Sequence, residues 1–276
     1  MSMFETWTRS WTLVKQSYAI LLKDKELMWF PILSGVITIG LLISFIIPLF
    51  VAELFAPGVI LYSLLFVYYI LSYFIVIFFN VGLVACARIR LQGGDPTVKD
   101  GMNAAIAHLP NILLWAVISA TVGLILRMIS DKLENNFLGQ LVLSLLGMAW
   151  TLLTFFVVPV MIFENKTVFE SIKGSTHILK KTWGETVVGQ FSMGGIFFLL
   201  GVAGIVPMGI ALLSGSLGAV VVVGVIVVMY WIVLSVVSAS LQGIYLTALY
   251  HYATTGKAPE GFDGDEIKHA FVRKGK

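Results

Sequence analysis

Long runs without a charged residue constrain the fold of this chain more than any other feature. They cover residues 27–52, 54–87, 101–126, 135–163 and 186–256. A membrane-spanning helix needs roughly 20 predominantly apolar residues. Each of the first four runs therefore has room for one such helix, and the last run has room for two.

The last run also contains a natural turn. Ser214, Gly215, Ser216 and Gly218 cluster there between two apolar blocks, and small residues of this kind favour a turn. We therefore predict an all-α membrane protein with six membrane-spanning helices, placed at about 31–54, 58–86, 109–129, 138–162, 187–212 and 217–250.

The composition excludes several other classes of protein. Charged residues make up 12% of the chain, whereas a soluble domain carries about 25%. The net charge of +3 is too small for the basic surface of a nucleic-acid binder. The single cysteine, Cys86, excludes an intramolecular disulfide and any metal site made of several cysteines. We therefore expect no nucleic-acid partner, and neither an ordinary soluble enzyme nor a disordered chain.

The positions of Lys and Arg predict the orientation of the spans. All of the 18 Lys and Arg residues except Arg127 and Lys132 fall on one side of the predicted membrane. Cytoplasmic loops of membrane proteins carry such an excess. We therefore expect a multi-pass protein of the cell membrane with both termini in the cytoplasm.

The cytoplasmic segments resemble one another, which indicates an internal repeat. Residues 4–18 align without gaps on 169–183, and Thr97 and Asp100 align on Thr167 and Glu170. We interpret residues 1–256 as one membrane domain of three units, each an amphipathic cytoplasmic helix followed by a two-span hairpin. The predicted units are 1–87, 95–163 and 167–252, and a cytoplasmic tail follows at 257–276. In the middle unit, Asp95 is the expected helix cap, with Pro96 in the first turn.

The first cytoplasmic helix has its aromatic and aliphatic residues at helical spacing. They are Phe4, Trp7, Trp11, Val14, Tyr18 and Leu21. A helix with this stripe and nearby cations suits a membrane interface, but packing against the bundle is an alternative that is compatible with it. The residues that we predict to bind at the interface, to membrane lipid or to a protein partner, are Trp7, Trp11, Lys15, Tyr18, Lys180 and Trp183.

Two stretches of the sequence carry a family resemblance. The pattern W-x-x-S-W-x-L-x-K-x-S at 7–17, followed by K-D-K-E-L at 23–27, resembles the opening of an uncharacterised prokaryotic six-span membrane family, a domain of unknown function. The ending at 259–271 is similar to the way its members end. The helix-plus-hairpin unit distantly resembles the membrane domain of glycerophosphodiester phosphodiesterases, although no phosphodiesterase domain is present. The resemblance implies a fold and a membrane location, and no activity.

The predicted spans contain few groups that could perform chemistry. Their deepest polar residues are Asn80 and Gln242, which form a candidate intramembrane polar site, although a hydrogen bond between helices is the commoner role of such residues. No histidine has a metal-binding partner at helical spacing, and no nucleophile or phosphate-loop motif occurs. We therefore expect no enzymatic activity, no catalytic residue, no cofactor and no metal.

Two functional hypotheses follow from these patterns. The first is a non-enzymatic membrane protein that organises lipid or a protein partner at the cytoplasmic face, with Phe262 and Phe271 docking the tail on its own helices or on a partner. The alternative is a transporter or pore for a small neutral or lipophilic solute, which would use Asn80, Gln242 and the Gly/Pro-rich fifth span. The oligomeric state is left open.

Overall fold

The computed structural model describes residues 3–55 and 58–264, and it describes the side chains of 11–54, 58–180 and 194–264. The secondary structure of these residues is helical. Ten α-helices follow one another along the described chain, and a short 3₁₀ helix at Lys25–Met28 precedes the second: α1 (Met3–Lys23), α2 (Trp29–Phe55), α3 (Val59–Leu91), α4 (Val98–Ala107), α5 (Leu109–Lys132), α6 (Phe137–Leu153), α7 (Val157–Phe163), α8 (Val168–Ala203), α9 (Ile205–Leu213) and α10 (Leu217–Thr255).

The prediction of six spans is confirmed at the level of length and composition. Six helical segments among the described residues are long and apolar enough to cross a membrane: Lys25–Leu54, Val59–Leu91, Leu109–Lys132, Phe137–Phe163, Gly194–Leu213 and Leu217–Thr255. The turn between the last two lies where the small residues cluster. Gly215 has φ +65° there, and the Ser216 hydroxyl caps α10 by accepting from the backbone N–H of Ala219 (3.3 Å).

Proline explains where two of the spans are interrupted. Pro159 follows the break between α6 and α7, and Pro207 follows the break between α8 and α9 at Gly204. A proline inside a helix lacks an N–H group and clashes with the carbonyl four residues earlier. Each interruption lies three to five residues before its proline, and the span continues as a second helix after the interruption.

The predicted start of the middle cytoplasmic helix is wrong by two residues. Thr97, and not Asp95, caps α4. The Thr97 hydroxyl accepts from the backbone N–H of Asp100 (3.3 Å), and the Asp100 carboxylate accepts from the backbone N–H of Thr97 (2.9 Å). This reciprocal capping box satisfies two N–H groups, whereas Asp95 forms a 3.9 Å ion pair with Arg90.

Buried residues are concentrated at one end of the bundle. Most of them lie in α1 and in the stretches 77–91, 112–120, 152–161 and 240–250. We call this end, which carries α1, α4, the first half of α8 and residues 256–264, the base. The opposite end, with the turns at 133–136 and 214–216, is called the hairpin end, and its apolar side chains are largely exposed.

Close backbone approach fixes the base around α3, which contacts α2, α4, α5, α7 and α10. Gly82 of α3 faces Gly101 of α4, and the enclosed ring of Phe30 packs against both. On another side of α3, the Leu83 side chain fills the space beside Gly243 of α10. Small residues let membrane helices come this close, so the base has a specific packing arrangement.

Candidate interface site at the base

The first helix presents two different faces. Leu13, Val14, Ile20 and Leu21 are buried against the bundle, where α1 contacts α8 and α10. A second stripe is exposed and consists of Trp11, Lys15, Tyr18 and Leu22. In the predicted stripe, Val14 and Leu21 therefore lie on the buried face, three residues after the exposed Trp11 and Tyr18. A step of three residues turns a helix by about 300°, so the two side chains of each pair point about 60° apart around the helix axis.

The exposed stripe combines aromatic rings with a cation. Trp11 is 41% exposed and Tyr18 is 45% exposed, although both are large amphipathic side chains. The Lys15 ammonium lies 5.7 Å from the centre of the Trp11 ring, within the range of a cation–π contact. Such a surface matches the interfacial region of a bilayer, which accepts apolar rings and cations at the same depth.

Two acidic residues connect the end of α1 to the rest of the base. The Asp24 carboxylate forms an ion pair with Arg90 at the end of α3, with 3.0 Å between Oδ2 and Nε. Burial raises the pKa of Asp24, and the charge of Arg90 only partly opposes this effect. The Glu26 carboxylate accepts from the backbone N–H of Val98 at the start of α4 (3.0 Å). The sequence patterns did not predict these contacts, although both acidic residues belong to the K-D-K-E-L motif at 23–27.

The segment after α10 returns to the same place. The ring of Phe262 is 8% exposed and belongs to the core of the base. The backbone N–H of Glu260 donates to the carbonyl of Leu91 (3.2 Å). Gly261 adopts φ +86° against the side chain of Ile20. Phe262 therefore packs on the protein's own helices, whereas Phe271 lies outside the described residues.

The other predicted interface residues are spread over two helices. Lys180 is exposed on α8, which contacts α1. The side chains of Trp7 and Trp183 lie outside the part of the chain whose side chains the structure describes. Of the six predicted interface residues, the structure therefore describes the side chains of four, and all four are exposed: Trp11, Lys15 and Tyr18 on α1, and Lys180 on α8.

The two predicted intramembrane polar residues do not share one site. Gln242 lines a cavity of about 490 Å³ between α6, α8 and α10, together with Thr151, Gly194 and Phe198. Its amide nitrogen donates to the Ser238 hydroxyl (2.9 Å). Asn80 is half-buried in α3 and is not part of the lining of this cavity. The cavity is open to the surface of the protein, because Phe198 and Gln242 are exposed.

The side chains that could ligate a metal are dispersed in the described part of the chain. Within 3–55 and 58–264 no group of three or more His, Cys, Asp or Glu residues comes together. Cys86 is buried, and its thiol donates to the carbonyl of Thr97 (3.3 Å). This thiol therefore helps to hold α4 against α3.

Comparison with known proteins gives a family and no activity. A search of curated proteins found no match to the chain. A family model described as "Family of unknown function (DUF6159)" matches residues 59–262, a stretch that runs from the start of α3 through Phe262. Because this match covers well over half of the sequence, the chain belongs to the DUF6159 family of unknown function.

Proposed function

We propose that the chain consists of three repeated units, as the sequence predicts. The capping box of α4 (Thr97 and Asp100) has a counterpart in α8, where the Glu170 carboxylate accepts from the backbone N–H of Thr167 (3.0 Å). Small residues four and eight positions after each cap are buried, Gly101 and Ala105 in α4 and Ser171 and Ser175 in α8. Equivalent caps and equivalent buried positions support a repeat.

The contacts at the base support the same interpretation. In the proposed units, α4 packs on α3, the second span of the first unit, and α8 packs on α7, the end of the second unit. The helix of the first unit, α1, packs on α10, the second span of the third unit. Each amphipathic helix thus contacts the span that precedes it in a closed cycle of three. The distant resemblance of the unit to the membrane domain of glycerophosphodiester phosphodiesterases remains a prediction.

We propose that the protein is a non-enzymatic component of the cell membrane that organises lipid or a protein partner at its base, with the base and both termini in the cytoplasm. One observation carries this proposal: α1 is fixed to the bundle by its aliphatic face, while Trp11, Lys15 and Tyr18 are left exposed. A large aromatic side chain that is this exposed among the described residues is typical of a contact surface.

The test is native mass spectrometry of the full chain, extracted in mild detergent from its own membrane. The double substitution Trp11→Ala and Tyr18→Ala should reduce the retained lipid or partner by about ten- to eightyfold. Full burial of an aromatic side chain contributes about 1.5–3 kcal/mol, and because Trp11 is 41% and Tyr18 is 45% exposed, a ligand that covers the exposed part of both gains about 1.3–2.6 kcal/mol. The matched control is Phe137→Ala with Leu138→Ala, two exposed residues at the hairpin end (80% and 69% exposed). Unchanged retention in the first variant, or an equal loss in both, would contradict the proposal.

A transporter or pore for a small neutral or lipophilic solute is the second candidate. The observation in its favour is the cavity of about 490 Å³ that Gln242 lines. If this cavity is a solute site, Gln242→Leu should reduce solute flux in liposomes, while Asn80→Ala should leave it unchanged because Asn80 lies elsewhere. Flux that is indifferent to Gln242→Leu would eliminate this candidate.

A further inference from the structure

A second and smaller cavity lies at the base and has a different chemistry. It encloses about 120 Å³ where the ends of α3, α7 and α10 meet. Its polar lining comes mainly from the last turns of α3 and α10. The lining includes Arg88, Gln92, Phe163, His251, Thr254 and Thr255. None of these residues belongs to the exposed stripe of α1, and none was singled out by the sequence patterns.

Arg88 supplies a positive charge that has no carboxylate partner among the described residues. Its guanidinium lies 4.4 Å from the centre of the Phe163 ring, and no ion pair between it and a carboxylate occurs in the stretches 3–55 and 58–264 for which the structure gives positions. Arg90, two residues later, is by contrast paired with Asp24 and Asp95. A half-buried guanidinium that lies over an aromatic ring can still direct its N–H donors towards a ligand.

The acidic side chain that contacts the lining residue Tyr250, that of Glu164, is already engaged. The Glu164 carboxylate is bound by the Lys166 ammonium (2.5 Å) and by the Tyr250 hydroxyl (2.5 Å). These hydrogen bonds outweigh the effect of partial burial and lower the pKa of Glu164. Glu164 is therefore a charged and satisfied group, and it leaves Arg88 uncompensated.

The other polar groups of the cavity differ in whether they can donate a hydrogen bond to a ligand. The His251 imidazole and the Gln92 amide line it beside Arg88. The Thr254 and Thr255 hydroxyls donate to backbone carbonyls of α10 (2.9 and 2.7 Å), so they form the wall and offer lone pairs only. The free donors are thus a guanidinium, an imidazole and an amide around a space that fits one tetrahedral oxyanion.

We propose that this cavity is a phosphate-binding site in which Arg88 holds the phosphate oxygens and His251 and Gln92 donate to them. Planar guanidinium groups bind phosphate with two parallel hydrogen bonds. Arg88 lies in the last turn of α3, at the end of a span, which is the level of phospholipid headgroups. A phospholipid is therefore one source of the phosphate and a soluble phosphate is the other. Only the lipid source rests on the proposed function.

The test measures lipid binding to the full chain in mild detergent by native mass spectrometry. The probes are phosphatidic acid, diacylglycerol of the same acyl composition, and inorganic phosphate as a competitor. The wild-type protein should bind phosphatidic acid about ten- to a hundredfold more tightly than diacylglycerol, since hydrogen bonds to charged groups are the strong ones. Arg88→Gln should abolish this preference, and Arg88→Lys should retain part of it.

The matched control is Lys173→Gln, which removes the same charge from an exposed position of α8 at the base. Equal losses in Arg88→Gln and Lys173→Gln, or wild-type preference in Arg88→Gln, would overturn the proposal. Slow alkylation of the buried Cys86 thiol verifies that each variant is folded. As a milder variant, His251→Ala should reduce the preference by about fivefold through the loss of one donor.

Other outcomes of this experiment distinguish a lipid from a soluble source of the phosphate, and they distinguish the phosphate site from the proposed function of α1. Arg88-dependent binding of inorganic phosphate, with equal binding of both lipids, would support the phosphate site and assign it a soluble ligand. Loss of retained lipid in the Trp11/Tyr18 variant with an unchanged Arg88-dependent preference would support both proposals as separate sites. If Trp11 and Tyr18 prove dispensable while Arg88 is required, only the proposed function of α1 fails.

Discussion

The substitution Gly101→Ala is expected to loosen the base, because there is no room for a methyl group at this position. A Cβ atom at Gly101 would contact the ring of Phe30 and would lie 2.7 Å from the carbonyl oxygen of Gly82 and 2.8 Å from the sulfur of Cys86. Favourable contacts between non-bonded carbon atoms are about 3.5–4.0 Å long. The Phe30 ring is 1% exposed, and the Gly82 oxygen belongs to the backbone, so neither can move away freely.

We expect this overpacking to cost about 2–3 kcal/mol, the upper part of the usual range, because the neighbouring atoms cannot move away. The stabilisation of roughly 1 kcal/mol that alanine normally brings to a helix reduces the net loss to about 1–2 kcal/mol. The thiol of Cys86 is a suitable reporter, because it is the single cysteine of the chain and is 2% exposed against α4. Its alkylation requires a local opening of the α3–α4 contact. Its alkylation rate in mild detergent should therefore rise about 5- to 30-fold in Gly101→Ala.

The control for this prediction is Gly35→Ala on α2, where an added Cβ would meet no atom within 4 Å. Its alkylation rate should stay within about twofold of wild type, because the change is distant from the α3–α4 contact. An alkylation rate in Gly101→Ala that equals the wild-type rate would refute the argument from close packing. A comparable rise in both variants would show that the thiol reports global loosening instead.

Two further predictions concern the loops of the base. Thr97→Ala removes the cap of α4 and should cost about 1 kcal/mol of stability. The alkylation rate of Cys86 should therefore rise about fivefold. Thr167→Ala at the distant cap of α8 is the control and should leave that rate unchanged. For Glu164, the lowered pKa means that its ionised form stabilises the fold above its ordinary pKa of 4.5 and that this contribution is lost as the pH falls through the lowered value. Thermal unfolding between pH 7 and pH 3 should therefore depend less on pH in Glu164→Gln than in the wild-type protein.

Spans and turns were predictable because they depend on one-dimensional properties. Uninterrupted apolar length locates a membrane helix in the sequence, and all six predicted spans have a counterpart among the described helices. The turn at Gly215 was likewise visible as a cluster of small residues. The cap of α4 was harder, because Asp95 and Thr97 both suit an N-cap and the choice depends on which residue has a partner three positions later. Asp100 is that partner of Thr97.

The two faces of α1 were not predictable from periodicity alone. Trp11 and Val14 lie on neighbouring faces of the helix, and hydrophobicity gives no reason to expose one and bury the other. Burial follows from what α8 and α10 present to α1, which is information from distant parts of the chain. The proposed phosphate site could not be predicted from the sequence for the same reason. Arg88 and His251 are far apart in the sequence, and they line one cavity because α3 packs beside α10.

The contrast between the two ends of the bundle explains why function is best sought at the base. Lipid tails are as apolar as the spans, so hydrophobicity cannot drive one membrane helix onto another. Specific association needs close backbone contact or polar contacts, and the glycine contacts of Gly82 and Gly243, the Asp24–Arg90 ion pair and the capping box of α4 all lie at the base. At the hairpin end, the exposed aliphatic side chains can be covered by the acyl chains of lipids. These contacts give the base a specific packing arrangement where α1 and the ends of α3 and α10 come together, and a particular binding surface can be built on it.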